Sequence, residues 1–325
     1  MTILPLVENE VLKLLKRRRF RVVLLILIAL IGIIVFGQSR IRERDRSVDW
    51  RIHTQERVAR MQSWLRSGRG PTTGLRWTRF EVARLQYHLD RNMDPDAMSG
   101  PLFVRAFANV SSHLLFPLLA LIFASDIVSS EFSQGSIKLL LTRPVTRTRV
   151  LASKLAALVL AVTLTVLLGG VVAYAFGSLA YGPKGWGAPI LTGFRAGGDT
   201  LDVASVRAVT LWKDVVVVFG LAWFSALSVG VLGFLTSVLL RSTAAAMGTM
   251  FAALIAGSIL PFVAATWETQ KYLFVTNLPL PDYYSGAPPP IPGITVGFAV
   301  AVLAVWAAAA LVVAFVVFAR RDVLA

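Results

Sequence analysis

Few side chains in this sequence of 325 residues are of kinds that make or break bonds. It holds three histidines, His53, His88 and His113, and no cysteine, so it offers neither a thiol nucleophile nor a thiolate-ligated zinc or iron–sulfur centre. No H-E-x-x-H, G-x-S-x-G or G-x-x-x-x-G-K-[ST] occurs, which leaves metalloprotease, serine-hydrolase and P-loop chemistry without their residues. His113 stands in an apolar run near Arg105 and Pro117, where it either lines a polar path or hydrogen-bonds between helices. The segment richest in polar signals runs from Asp126 to Arg149. It holds a polar turn with Glu131, a Gly135-Ser136 step, Lys138 beside a short leucine run, then Pro144, Arg147 and Arg149. Its apolar turn from Ile137 to Leu141 is too short to cross a bilayer and is stopped by Pro144. It therefore reads as a short helix on a membrane surface.

The elements that hold these residues follow from composition. The chain is 56% apolar and 16% charged, with a mean hydropathy of +0.68, against about 45–50% and about 25% for soluble domains. Disorder, a disulfide-stapled scaffold and an ordinary water-soluble domain are excluded. A bilayer core takes about 20 apolar residues of helix, and six runs qualify: 20–37, 101–128, 151–180, 215–240, 244–265 and 294–318. The first is an uncleaved anchor rather than a signal peptide, because no small-x-small site follows Phe36. The sequence predicts an all-α integral membrane protein of six transmembrane helices. Asp126 and Lys154, at the ends of spans, are expected to snorkel to the interface.

Charge orients this layout. Of the 33 Lys and Arg behind the net +15, 14 lie in residues 13–21, 138–154, 241 and 320–321 and 13 in the long segment 38–100, which is near the length at which orientation counting stops, whereas the two shorter loops on the other side hold only Lys184, Arg195, Arg207, Lys213 and Lys271. The positive-inside rule then puts both termini in the cytoplasm. Most of the charge reports orientation and anionic-lipid contact, and nucleic acid is not expected as a partner. Residues 1–19 read as an interfacial amphipathic helix anchored by Lys13, Lys16, Arg17, Arg18 and Arg19. The arginine-rich segment 38–100 reads as an extracytoplasmic helical hairpin. Val58, Met61 and Trp64/Leu65 repeat at helical spacing, as do Phe80 with Arg84 and Leu85 with Leu89, on either side of a Gly-rich turn at 67–74. The cytoplasmic segment 129–150, the turn 241–243 and the tail 319–325 alternate with outside loops 181–214 and 266–293. The first of those loops is Gly-rich, and the second Pro-rich with Tyr283-Tyr284 at the interface; neither has metal or nucleotide spacing. On the fifth span Ala244, Gly248, Ala252 and Ala256 form a small-x-x-x-small row, beside Ala245, Thr249, Ala253 and Gly257. Such rows pack within a subunit or between two copies.

The run from Ser130 to Arg147, with its acidic residue, Gly-Ser step, leucine turn and Arg143-Pro144, resembles the cytoplasmic motif of ABC-2-type permeases, the membrane subunits of ATP-binding-cassette exporters. Residues Asn9 to Phe20 resemble that family's surface helix leading into the first span. The resemblance implies a bacterial or archaeal plasma-membrane permease, exporting a small molecule, lipid-like compound or drug, that pairs with a second permease copy. Segment 129–150 would be its coupling element, with Glu131, Gly135, Ser136, Lys138, Pro144 and Arg147 docking on a separate ATPase subunit. Glu131 would pair there with a basic groove or cap the following turn. The chain itself would hold no cofactor and catalyse nothing; ATP and Mg would belong to the partner ATPase. Segment 38–100 is longer than in the simplest members, which leaves the substrate class open. Two other readings stand beside this one: a non-transporting assembly or sensor subunit working through residues 38–100, and an ion-coupled transporter.

Overall fold

A computed structural model describes residues 4–16, 18–45, 49–68, 72–133, 146–197, 200–202, 206–240, 242–263 and 267–320. Helix α1 (Leu4–Lys16) leads into α2 (Arg18–Asp45), whose Val23, Leu27, Ile31 and Val35 are buried at intervals of one turn. The opposite face is left bare, with Leu25 at 64% and Ile33 at 71% exposure. A helix apolar all round that buries one stripe is suited to a lipid environment. Helices α3 (Trp50–Ser67) and α4 (Thr72–Asp90) pack through Val58, Val82 and Leu85, with Met61 and Leu65 beside them. Asp49 caps the first of the pair by accepting from the Arg51 N–H at 3.0 Å, and Gly68 closes it in the left-handed region (φ 63°).

The run expected as one straight span at 101–128 is two helices. They are α5 (Gly100–His113) and α6 (Leu115–Asp126), bent by 55° at Leu114. Pro117 explains the break. It has no N–H for the carbonyl of residue 113, and its ring crowds that carbonyl, so the chain restarts with Pro117 in the first turn of α6, where no donor is missed. A short α7 (Ser129–Ser133) follows. Helix α8 (Arg147–Tyr181) and helix α9 (Leu211–Leu239) form the centre. The latter packs against α5, α6, α8, α10 (Thr243–Val263) and α12 (Val296–Arg320). Among the described residues five helices are long and apolar enough to cross a membrane, and the bent α5–α6 pair makes a sixth.

Two regions expected as loops are built. Residues 181–214 carry β1 (Pro189–Thr192) paired antiparallel with β4 (Arg207–Thr210), and β2 (Arg195–Gly197) paired with β3 (Thr200–Asp202). Together they make an arm that leaves its ladder at Gly193-Phe194. The reading of 181–214 as a plain loop missed these strands because the glycines hide the alternation, and the fold stays overwhelmingly helical. Residues 266–293 hold two 3-10 turns and α11 (Leu280–Ser285), with Leu278, Leu280 and Ile291 buried against α9 and α12. The Tyr283 hydroxyl donates to the buried Thr276 carbonyl.

Candidate functional site

At the end of the bundle where α1, α7 and α8 meet, a lysine with 1% exposure holds the elements together. The Lys154 Nζ of α8 donates to Glu131 Oε1 of α7 at 2.6 Å, to Glu10 Oε2 of α1 at 3.1 Å and to the Ile127 carbonyl at 3.1 Å. All three ammonium protons are used. The Ile127 carbonyl is available because α6 ends at Asp126. Lys13, on the turn after Glu10, bonds Glu10 Oε1 at 2.7 Å and lies 3.8 Å from Glu131 Oε1. Two carboxylates and two ammonium groups make a neutral cluster, the arrangement that makes buried charge tolerable. Burial pushes the Glu10 carboxyl up, but Lys154 and Lys13 outweigh it and hold the group below its ordinary value.

The other side of the same segment is clamped by hydroxyls. Ser237 Oγ of α9 accepts from the Val128 and Ser129 N–H groups at 3.1 and 3.0 Å and donates to the Ser125 carbonyl at 3.1 Å. Thr243 Oγ1, at the start of α10, meets Ser129 Oγ at 2.9 Å and Asp126 Oδ1 at 3.3 Å. The chain entering residues 134–145 is thus fixed to α1 and α8 by ions and to α9 and α10 by hydrogen bonds.

This geometry corrects three readings. Lys154 and Asp126 are buried and do not snorkel. Glu131, expected to face a partner or cap a turn, has 6% exposure and is held by Lys154. Glu10, part of the helix read as interfacial, points into the protein. Arg147 lies at the start of α8, half-buried, with Nη1 reaching the Ala319 carbonyl of α12 at 3.4 Å. Gly135, Ser136, Lys138, Pro144 and Arg17, with the side chains of Arg18 and Arg19, lie outside the described residues; Lys16 is exposed. On α10 the row Ala244, Gly248, Ala252 and Ala256 faces outward, and packing within the chain uses Ala246, Met250 and Leu254 instead.

Residues 89–324 match the model of a family described as "Protein of unknown function (DUF2705)". The chain belongs to that family. Glu131 and Lys154 fall inside the matched region, whereas α1 and almost all of the α3–α4 pair precede it. In Bacillus subtilis (strain 168) the chain is similar to "Uncharacterized protein YhcI", 27% identical over 325 residues, covering 98% of this chain and 99% of that one. It is also similar to "Uncharacterized membrane protein YdbK" of the same organism, 29% identical over 215 residues, covering 66% of this chain and 80% of that one.

A second polar set lies where α5, α9 and α11 meet. Arg105 Nε donates to Asp214 Oδ2 at 2.5 Å, and Arg105 Nη2 donates to Ser285 Oγ at 3.1 Å. His113 Nε2 meets Asp282 Oδ2 at 2.7 Å. Sequence reasoning singled out Arg105 and His113 as polar groups in an apolar run but missed their partners. The signal was there in principle, since ionisable groups inside spans pair with one another.

Proposed function

We propose that this chain is the membrane subunit of an ABC-2-type ATP-binding-cassette exporter, working as a pair of permease copies with a separate ATPase that carries ATP and Mg. Its place is a bacterial or archaeal plasma membrane, with both termini and residues 129–150 on the cytoplasmic side and α3–α4 outside. The observation that carries the reading is the Lys154–Glu10–Glu131 cluster. It welds the surface helix, the entry to the segment resembling a coupling element, and a 35-residue helix into one body. A push on residues 134–145 is then delivered to the spans as rigid-body motion rather than absorbed locally. Glu131 acts in this scheme as a positioning residue, and the docking contacts fall to Gly135, Ser136, Lys138, Pro144 and Arg147. The outward small-residue row of α10 gives the second copy a surface for close approach.

Co-purification tests the reading. The wild-type chain is expected to retain an ATPase encoded beside it and to stimulate its hydrolysis. Gly135→Pro is expected to abolish both while leaving the chain folded, and Glu131→Gln to keep binding but weaken stimulation. An ATPase that binds and turns over identically with Gly135→Pro would end the coupling assignment.

A further inference from the structure

Where α12 begins, a cleft of about 980 Å³ opens between α4, the β arm and the turn after α11. Two guanidinium groups line it, Arg76 from α4 and Arg207 from β4, and no carboxylate is among its lining residues. Arg207 also bonds the hydroxyl of Tyr284, which lines the cleft beside it. Of the acids beside the cleft, Asp214 is taken by Arg105 and Asp282 by His113. Thr295 caps α12, its hydroxyl accepting from Phe298 N–H at 3.2 Å, and the next residues, Val296 and Gly297, line the cleft. The positive end of a 25-residue helix therefore faces the same space as the two arginines. The remaining walls are aromatic and aliphatic, with Phe194 and Ile294 among them. The charge has a fixed frame. Phe194 stacks on His88 and meets Phe80 and Tyr87 of α4 edge-on, and Gly286 lies so close to the Phe194 carbonyl that no side chain fits.

From these features we infer that the cleft is a binding site for an oxyanion carried on an amphiphilic or small organic molecule, with a phosphate ester as the chemical class. Arginine forks match phosphate oxygens in a bidentate way, a helix start supplies unpaired N–H donors, and the apolar wall accepts the rest of the molecule. Helix α12 is apolar enough to cross a membrane and starts at the cleft, so the site lies at the level where lipid phosphates reside, whichever way the chain is oriented. The inference does not depend on the chain being a transporter.

The test uses the full-length chain in detergent and in vesicles. Native mass spectrometry reads retention of phosphatidylglycerol against diacylglycerol, which lacks the phosphate, and a thermal-shift titration reads glycerol 3-phosphate and inorganic phosphate. Arg76→Gln with Arg207→Gln is expected to lower affinity for the phosphate-bearing probe at least tenfold. Arg60→Gln with Arg66→Gln, the same change of charge on exposed positions of α3, is expected to leave it unchanged. The milder Arg207→Lys, with an unchanged melting temperature in the absence of ligand, separates lost binding from lost folding. Selective loss of phosphatidylglycerol identifies a lipid headgroup as the source, and selective loss of glycerol 3-phosphate or phosphate identifies a soluble ester; either supports the site. Equal affinity in the Arg76/Arg207 variant and wild type, or an equal drop in the Arg60/Arg66 control, overturns it.

Discussion

Lys154 carries more than its own charge. Replacing it with Met leaves Glu10 and Glu131 buried with Lys13 as their remaining cation, and breaking a buried ionic set costs about 3–5 kcal/mol. Lys154→Met is therefore expected to lower the melting temperature of the detergent-solubilised chain sharply, and the exchange Glu131→Lys with Lys154→Glu to recover part of the loss. The pH dependence follows from Glu10. Its folded carboxyl is held below the ordinary 4.5, so its stabilisation is complete above that value and drains away as pH falls beneath it, until the folded group itself is protonated. Glu10→Gln should flatten the acid limb of a stability curve. His88 gives a second, milder test. Burial lowers its pKa below 6.5, so the neutral ring is the folded form, and stability is lost as pH falls through 6.5 toward the folded value. The melting temperature should fall as pH drops below about 6.5, and His88→Phe should remove the difference. The sequence pointed to Glu131 but could not name its partners, because Glu10 and Lys154 lie 144 positions apart. A helical period sees only three or four residues ahead.

Elements were legible where one signal dominated. Runs such as 151–180 and 215–240 are apolar for the length of a bilayer, and α8 and α9 appear there. The hairpin of α3 and α4 was legible from Val58, Met61 and Leu85, which do face one another. The break at Leu114 was not, because apolarity says nothing about direction and Pro117 was read only as a neighbour of His113. Pro117→Ala is expected to straighten the helix pair and draw His113 away from Asp282. A His113→Cys/Asp282→Cys pair, in a chain with no cysteine of its own, should be bridged readily by a short bifunctional thiol reagent, which spans the gap left by the two longer side chains, and far less once Pro117→Ala is added. The β arm also escaped, and Gly286 shows what holds it. With φ at 94° and its Cβ position overlapping the Phe194 carbonyl oxygen, Gly286→Ala must push arm and turn apart. Faster hydrogen exchange across residues 189–197 is the expected result.

At the scale of the molecule, the bare face of α2 and the outward row of α10 mean that the chain alone leaves much apolar surface uncovered. Lipid and, under the proposed function, a second copy cover it. Gly248→Cys is expected to give a cross-linked homodimer in native membranes, and Ala246→Cys, buried in the same helix, none. Orientation is tested by a membrane-impermeant thiol reagent, which should label Ser67→Cys from outside and Lys16→Cys only after the membrane is opened. Composition supplied the long apolar helices and the cation distribution their expected direction, whereas contacts between distant segments needed the fold.

The Lys154 cluster also orders events during synthesis. A ribosome delivers Glu10 first, Glu131 more than a hundred residues later, and Lys154 last of the three. Until Lys154 is in place, two carboxylates destined for the interior have only Lys13 for company, and both have to stay within reach of water. A nascent chain stopped short of residue 154 is thus marked as unfinished by charges it cannot bury, and a chain that has passed that point locks its own beginning.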